Sequence, residues 1–173
     1  FGDWATTWDP DGWGNTEYDL ARGLFLRFAR TGDLDYLQFA EEAVRHYMDV
    51  DIVWAAGDIS WLGGGIVHST GHRSKGVHMG HTWVEGLLDY YLLTGDRRAL
   101  EAARLSGDWF AWHALRPSIQ GTRISSRTEA RGPGWALIGL SRLVQLGDGY
   151  YAHAAQAVVD ILRYEQTADG QWI

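Results

Sequence analysis

The chain has 173 residues, 46% of them hydrophobic and 21% charged, with a formal net charge of −7 and no cysteine. That length holds one domain with a real core and is short for two. The composition excludes disulfide and thiol chemistry, offers no apolar run long enough to span a membrane, and gives an acidic protein no general field to attract nucleic acid.

Residues 1–14 combine aromatics and glycine without a helical period and read as loop or short extended structure. Asn15 or Thr16 then offers a helix cap, with Glu17 and Asp19 placed near the positive end of a first helix. Leu20, Leu24 and Phe28 recur at helical steps, and Thr31-Gly32-Asp33 supplies a stop. A second helix is expected from Asp33 or Asp35 through Leu37, Ala40, Val44 and Tyr47 to about Val50. The same pair returns twice. Gly80 to Leu93 and Arg98 to His113 flank Thr94-Gly95-Asp96, and Gly134 to Leu146 and Tyr150 to Gln166 flank Gly147-Asp148.

Each opening helix also carries an x-Gly-Leu step, at Arg22-Gly23-Leu24, Glu85-Gly86-Leu87 and Ile138-Gly139-Leu140. A shared helix, Gly-Leu step and Gly-Asp turn at three places is an internal repeat. No single pair buries its apolar face alone, so the hairpins must stack on one another. The turns within a pair are short, whereas the segments between pairs are roughly 25 and 15 residues, well above the usual helix connection. Both enter the first helix of a pair, so they emerge at one end of the array.

Those segments hold the unusual chemistry. His68, His72, His78 and His81 lie with Arg73 and Lys75 in a glycine-punctuated stretch that has no acid between Asp58 and Glu85. The next long segment adds Arg123, Arg127 and Arg131, with Glu129 the single acid between Asp108 and Asp148. A basic, imidazole-rich island on an acidic protein suits an anionic substrate, because arginine grips a carboxylate with two donors and imidazole titrates near neutrality. The chain also carries ten Trp, eight Tyr and five Phe. Aromatic faces in loops suit stacking on sugar rings, or packing between helices. Trp13, Tyr18, Trp61 and Trp135 are candidates for stacking, while Trp109 and Trp112 fall inside a helix and are expected to pack.

Two stretches carry a family resemblance: Trp13-Gly-Asn-Thr-Glu-Tyr-Asp19 with Arg45-His-Tyr-Met-Asp-Val-Asp-Ile52, and Gly76-Val-His-Met-Gly-His-Thr-Trp-Val-Glu-Gly-Leu-Leu-Asp-Tyr-Tyr-Leu-Leu-Thr-Gly-Asp96. Together they resemble the α/α-toroid domain of the YetA-like rhamnogalacturonan exolyases, a family of polysaccharide lyases. The resemblance implies an all-α fold: an incomplete α/α toroid of about three stacked hairpins, in a single domain over residues 1–173. A full toroid has about twice as many hairpins, and the chain's ends, at Phe1 without a Met and at Ile173, read as those of a piece whose missing domains belong to the same parent chain. The activity implied is β-elimination on an acidic polysaccharide or oligosaccharide such as rhamnogalacturonan, with no cofactor.

Such a reaction needs the uronate carboxylate neutralised, a base for the C5 proton and an acid for the departing oxygen. His72, His78 and His81 are the candidates for proton transfer, with Glu85, four residues after His81 on the same helix face, to orient and strengthen the imidazole. Asn15, Glu17, His68, Arg73, Lys75, Arg123, Arg127 and Arg131 join the aromatics as candidate substrate contacts. The alternative for the imidazoles is structural: His81 capping the helix, the others bonding loop carbonyls. Zn²⁺ on His68-x3-His72 and His78-x2-His81 is disfavoured by the adjacent Arg and Lys, and Ca²⁺ at Asp9, Asp11 and Asn15 lacks the full acidic loop. A glycoside hydrolase on the same scaffold would need two facing carboxylates, drawn from Glu17 or Asp19 with Glu85 or Glu129. A helical module that binds sugar or protein without catalysis is the third possibility.

Overall fold

A computed structural model describes residues 18–66, 76–116 and 130–171. Among them are six α-helices: α1 (Leu20–Thr31), α2 (Leu34–His46), α3 (Glu85–Thr94), α4 (Arg97–Leu115), α5 (Arg131–Gln145) and α6 (Tyr151–Glu165). They pair as three hairpins, α1 with α2, α3 with α4 and α5 with α6, as the repeat requires. The opening helices α1, α3 and α5 stand in sequence beside one another, and α4 packs against α6 behind them. No described helix is long and apolar enough to cross a membrane.

The first two hairpin turns are built alike. Gly32 and Gly95 adopt left-handed backbone (φ 70° and 76°), which a Cβ would penalise, and each sends its N–H back to close the helix. Asp33 and Asp96 then cap the next helix through the N–H groups of Asp35 and Arg98. The third turn departs from this. Asp148 pairs with Arg104 at 3.2 Å, and α6 starts only at Tyr151, whose hydroxyl donates to the Asp108 carboxylate at 3.0 Å.

The core is a continuous cluster in which small residues let helices approach. Ala40, Ala43, Ala99, Ala102, Ala103 and Ala136 are buried among Phe25, Leu87, Leu88, Phe110, Leu140 and Leu143. Two glycines of the Gly-Leu step, Gly86 and Gly139, mark close joints between helices. A Cβ on Gly86 would collide with an Asp19 carboxylate oxygen and fall 2.9 Å from the Arg22 backbone nitrogen. On Gly139 it would fall 2.9 Å from Val84.

Two expectations about boundaries are overturned. The first helix begins at Leu20 with Asp19 as its cap, not at Asn15 or Thr16, because Tyr18 and Asp19 are both left-handed (φ 57° and 55°) and cannot continue a helix backward. The second opening helix begins at Glu85 rather than Gly80. Residues 79–81 form a separate single turn, and Thr82 is extended (φ −110°, ψ 118°), which breaks the helical path. The second helix also widens into a π-type turn at Tyr47–Asp51 before ending.

Gly86→Ala is expected to lose about 1–3 kcal/mol in urea unfolding despite alanine's better helix propensity, since backbone stands against the new methyl group.

Candidate functional site

The chain leaving α2 folds back on itself through two isolated antiparallel bridges, Ile52 with Gly65 and Ile66 with Val77. Thr82, fully buried, ties this return to the turn at residues 79–81: its hydroxyl accepts from Gly65 N–H at 2.8 Å and donates to the His78 carbonyl at 3.0 Å. Tyr47 does the same from beneath. Its hydroxyl accepts from Trp83 N–H at 2.8 Å and donates to the His81 carbonyl at 3.3 Å. Burial raises the Tyr47 phenol well above its ordinary value, so it stays protonated as a fixed donor. The backbone carrying His78, His81 and Trp83 is therefore held at both edges.

Side chains from three hairpins meet on that backbone. The His78 and His81 rings lie 5.5 Å apart, His81 packs edge-on to Trp83 at 6.1 Å, and Trp83 packs edge-on to Trp135 at 6.4 Å. Arg131, in the first turn of α5, lays its guanidinium over the Tyr18 ring at 5.8 Å. It also packs against Gly80, where a Cβ would fall 2.5 Å from Nε. His78 Nδ1 accepts the Gly80 N–H at 3.0 Å, which places the proton of the neutral ring on Nε2. The indole N–H of Trp83 is buried and has no hydrogen-bond partner among the described residues, an orphaned donor of the kind that costs free energy unless something accepts from it.

Below this cluster, Asp19 joins two hairpins. One carboxylate oxygen accepts from Arg22 N–H at 3.2 Å and the other from Gly86 N–H at 3.0 Å. Desolvation is the leading influence on Asp19 and raises its pKa from 3.8 to about 6, against the two N–H bonds that lower it. Beside it, Arg22 reaches Asp89 at 2.5 Å and Glu85 at 3.7 Å, while Arg142 reaches Glu85 at 3.4 Å and Asp89 at 3.5 Å. Three opening helices are thus linked by one ionic cluster.

Of the residues singled out in the sequence, the fold brings together Tyr18, His78, His81, Arg131 and Trp135. Glu85 lies apart from its expected partner. With His81 on the preceding turn, the two do not share a helix face, and the Glu85 carboxylate turns to Arg22 and Arg142. Val84, not His81, occupies the α3 cap position, and it makes no side-chain cap. Trp61 stands half-exposed beside Gly76 and outside the ring contacts of the cluster. Trp109 packs as expected, its indole donating to the Ser60 carbonyl at 2.6 Å. Trp13, Asn15, Glu17, His68, His72, Arg73, Lys75, Arg123, Arg127 and Glu129 lie outside the described residues, as do Asp9 and Asp11. Among the described residues no three His, Asp or Glu side chains gather to hold a metal.

Tyr47, Thr82 and Trp83 were not foreseen. Their signal in the sequence is faint: Tyr47 sits at a core-facing helical position, and only the fold reveals the hydroxyl as a brace. Comparison with known proteins finds no matching family model, no matching curated protein and no matching solved structure.

Tyr47→Phe leaves the Trp83 N–H and the His81 carbonyl without their partner, and should lower stability by about 1–3 kcal/mol in denaturant unfolding. Asp19 carries a pH signature whose sign is fixed. Its folded pKa lies above the unfolded value, so the stability it contributes is full below about pH 4 and is lost as pH rises through about 6. Asp19→Ala should therefore cost more at about pH 4 than at about pH 7.5, by on the order of 2–3 kcal/mol in paired urea titrations.

Proposed function

We propose that this chain is part of an α/α-toroid enzyme that cleaves a uronate-containing polymer, such as rhamnogalacturonan, by β-elimination. The observation that carries the reading is the convergence, at one end of the opening helices, of two imidazoles, a guanidinium and a wall of aromatic rings from three separate hairpins. Helix starts and the arginine at that end favour an anion. Trp135 and Tyr18 supply flat apolar faces for sugar rings, with the buried Trp83 packed edge-on to Trp135. The motif resemblance to the exolyases points the same way.

In this reading Arg131, with Arg123 and Arg127 from the preceding segment, neutralises the uronate carboxylate and makes the C5 proton acidic. His78, whose Nδ1 accepts from the Gly80 N–H, is assigned to pass a proton to the departing oxygen. Taking the C5 proton then falls to His81 or His72. Elimination breaks the C5–H and C4–O bonds, leaves a double bond between C4 and C5, and passes a proton to the departing glycosidic oxygen. Of the carboxylates the hydrolase alternative would use, Asp19 and Glu85 are engaged in joining helices, while Glu17 and Glu129 lie outside the described residues.

The test is direct. Incubation with rhamnogalacturonan or another uronate polymer should generate products with the near-ultraviolet absorbance of an unsaturated uronate. Replacing His78 and His81 together by Ala should lower kcat by about 10²–10⁴-fold. Full activity in that double variant would remove both residues from the mechanism, and products without the absorbance would favour hydrolysis.

A further inference from the structure

Arg131 is the first residue of α5, where a cation opposes the helix, whose N-terminal end is itself positive. The first turn of α5 holds no acid to offset it. What lies around the guanidinium accounts for its place better than the helix does. On one side is Gly80, where a Cβ would fall 2.5 Å from Nε, 2.9 Å from Cζ and 3.0 Å from Nη2. Any side chain at residue 80 would take the space that the guanidinium fills. On another side is the Tyr18 ring, its centroid 5.8 Å from Cζ.

Tyr18 departs from local rules as well. It is 60% exposed, so it adds little to the core. Yet its backbone is left-handed (φ 57°), a conformation that a bulky side chain rarely adopts. Asp19, the next residue, is left-handed too (φ 55°) and is fixed by the N–H groups of Arg22 and Gly86. The ring is thus presented from backbone anchored at the joint of α1 and α3, while the arginine it meets comes from the third hairpin. Strained backbone under an exposed aromatic points to a role outside the core, and the cation over its face supplies one.

We propose that Tyr18 is a positioning residue: it fixes the Arg131 guanidinium and so sets the preference of the site for a uronate over a neutral sugar. The proposal rests on the reading of the site as a uronate cleft. An arginine side chain left to itself samples many rotamers, and gripping a carboxylate with two donors requires the plane of its fork to be set beforehand. The negative face of the Tyr18 ring attracts the cation, and the bare edge of Gly80 leaves it room. The ring face, not the phenol hydroxyl, carries this role.

Calorimetric titration of the full 173-residue chain with a galacturonate trisaccharide and with a galactose trisaccharide tests it. The native chain should favour the galacturonate. Tyr18→Ala, at an exposed site and with helical circular dichroism unchanged, should cut that preference by about threefold to tenfold, whereas Tyr18→Phe should keep it within about twofold. Loss of a stacking face alone would weaken both sugars alike and leave the ratio intact. In an Arg131→Ala background, Tyr18→Ala should no longer change the ratio, because the group it positions is gone. A native chain that binds neither trisaccharide, or both equally, overturns the uronate reading and this proposal with it. A native preference that survives Tyr18→Ala, or an effect of Tyr18→Ala that persists without Arg131, overturns the proposal alone.

Discussion

The structure depends on how closely the first turns of α1 and α3 approach. At Gly86 the two backbones touch, and the Asp19 carboxylate spans them by taking an N–H from each. Burying that carboxylate is costly, as its raised pKa records. The left-handed backbone at Tyr18 and Asp19 adds roughly 1–2 kcal/mol for each residue. Packing around the joint offsets both costs. The close approach also decides where Tyr18 stands: it is turned outward at the helix start, where the Arg131 guanidinium covers its ring.

The cluster above is braced in a different way. Its imidazoles sit on a short turn outside any long helix, a placement that would ordinarily leave them loosely held. Here Tyr47 and Thr82, both deeply buried, pin the carbonyls and N–H groups on either side. Rigid rings then pack against one another from His78 across to Trp135. The orientation of the cluster's polar groups comes from residues packed behind them.

Much of the fold could be read from the residues. The Gly-Asp turns announce two hairpins because left-handed glycine followed by a capping acid has few other uses, and the recurrence of Gly-Leu identifies the opening helices. The start of those helices could not be read. Asn15 and Thr16 are good caps in isolation, but the position of Asp19 is set by Gly86, which is 67 residues away. Likewise the four-residue spacing of His81 and Glu85 implies a shared face only if the helix is continuous, and Thr82 interrupts it for the sake of tertiary hydrogen bonds. Local pattern reports the element, and distant partners decide where it begins. The same limit applies to the site. Tyr18, Arg131 and Trp135 were visible as suitable chemistry, whereas Glu85 looked equally suitable and is taken up by Arg22 and Arg142.

The ionic cluster running through the opening helices has a consequence for how the hairpins find their places. A repeat protein assembled from near-identical units risks pairing the wrong neighbours, because each interface offers the same welcome. Here the sign alternates: basic on α1, acidic on α3, basic on α5. Arg22 on the first hairpin and Arg142 on the third carry like charge, and the acids of the middle one pair with both. A permutation that set Arg22 against Arg142 would place like charge against like.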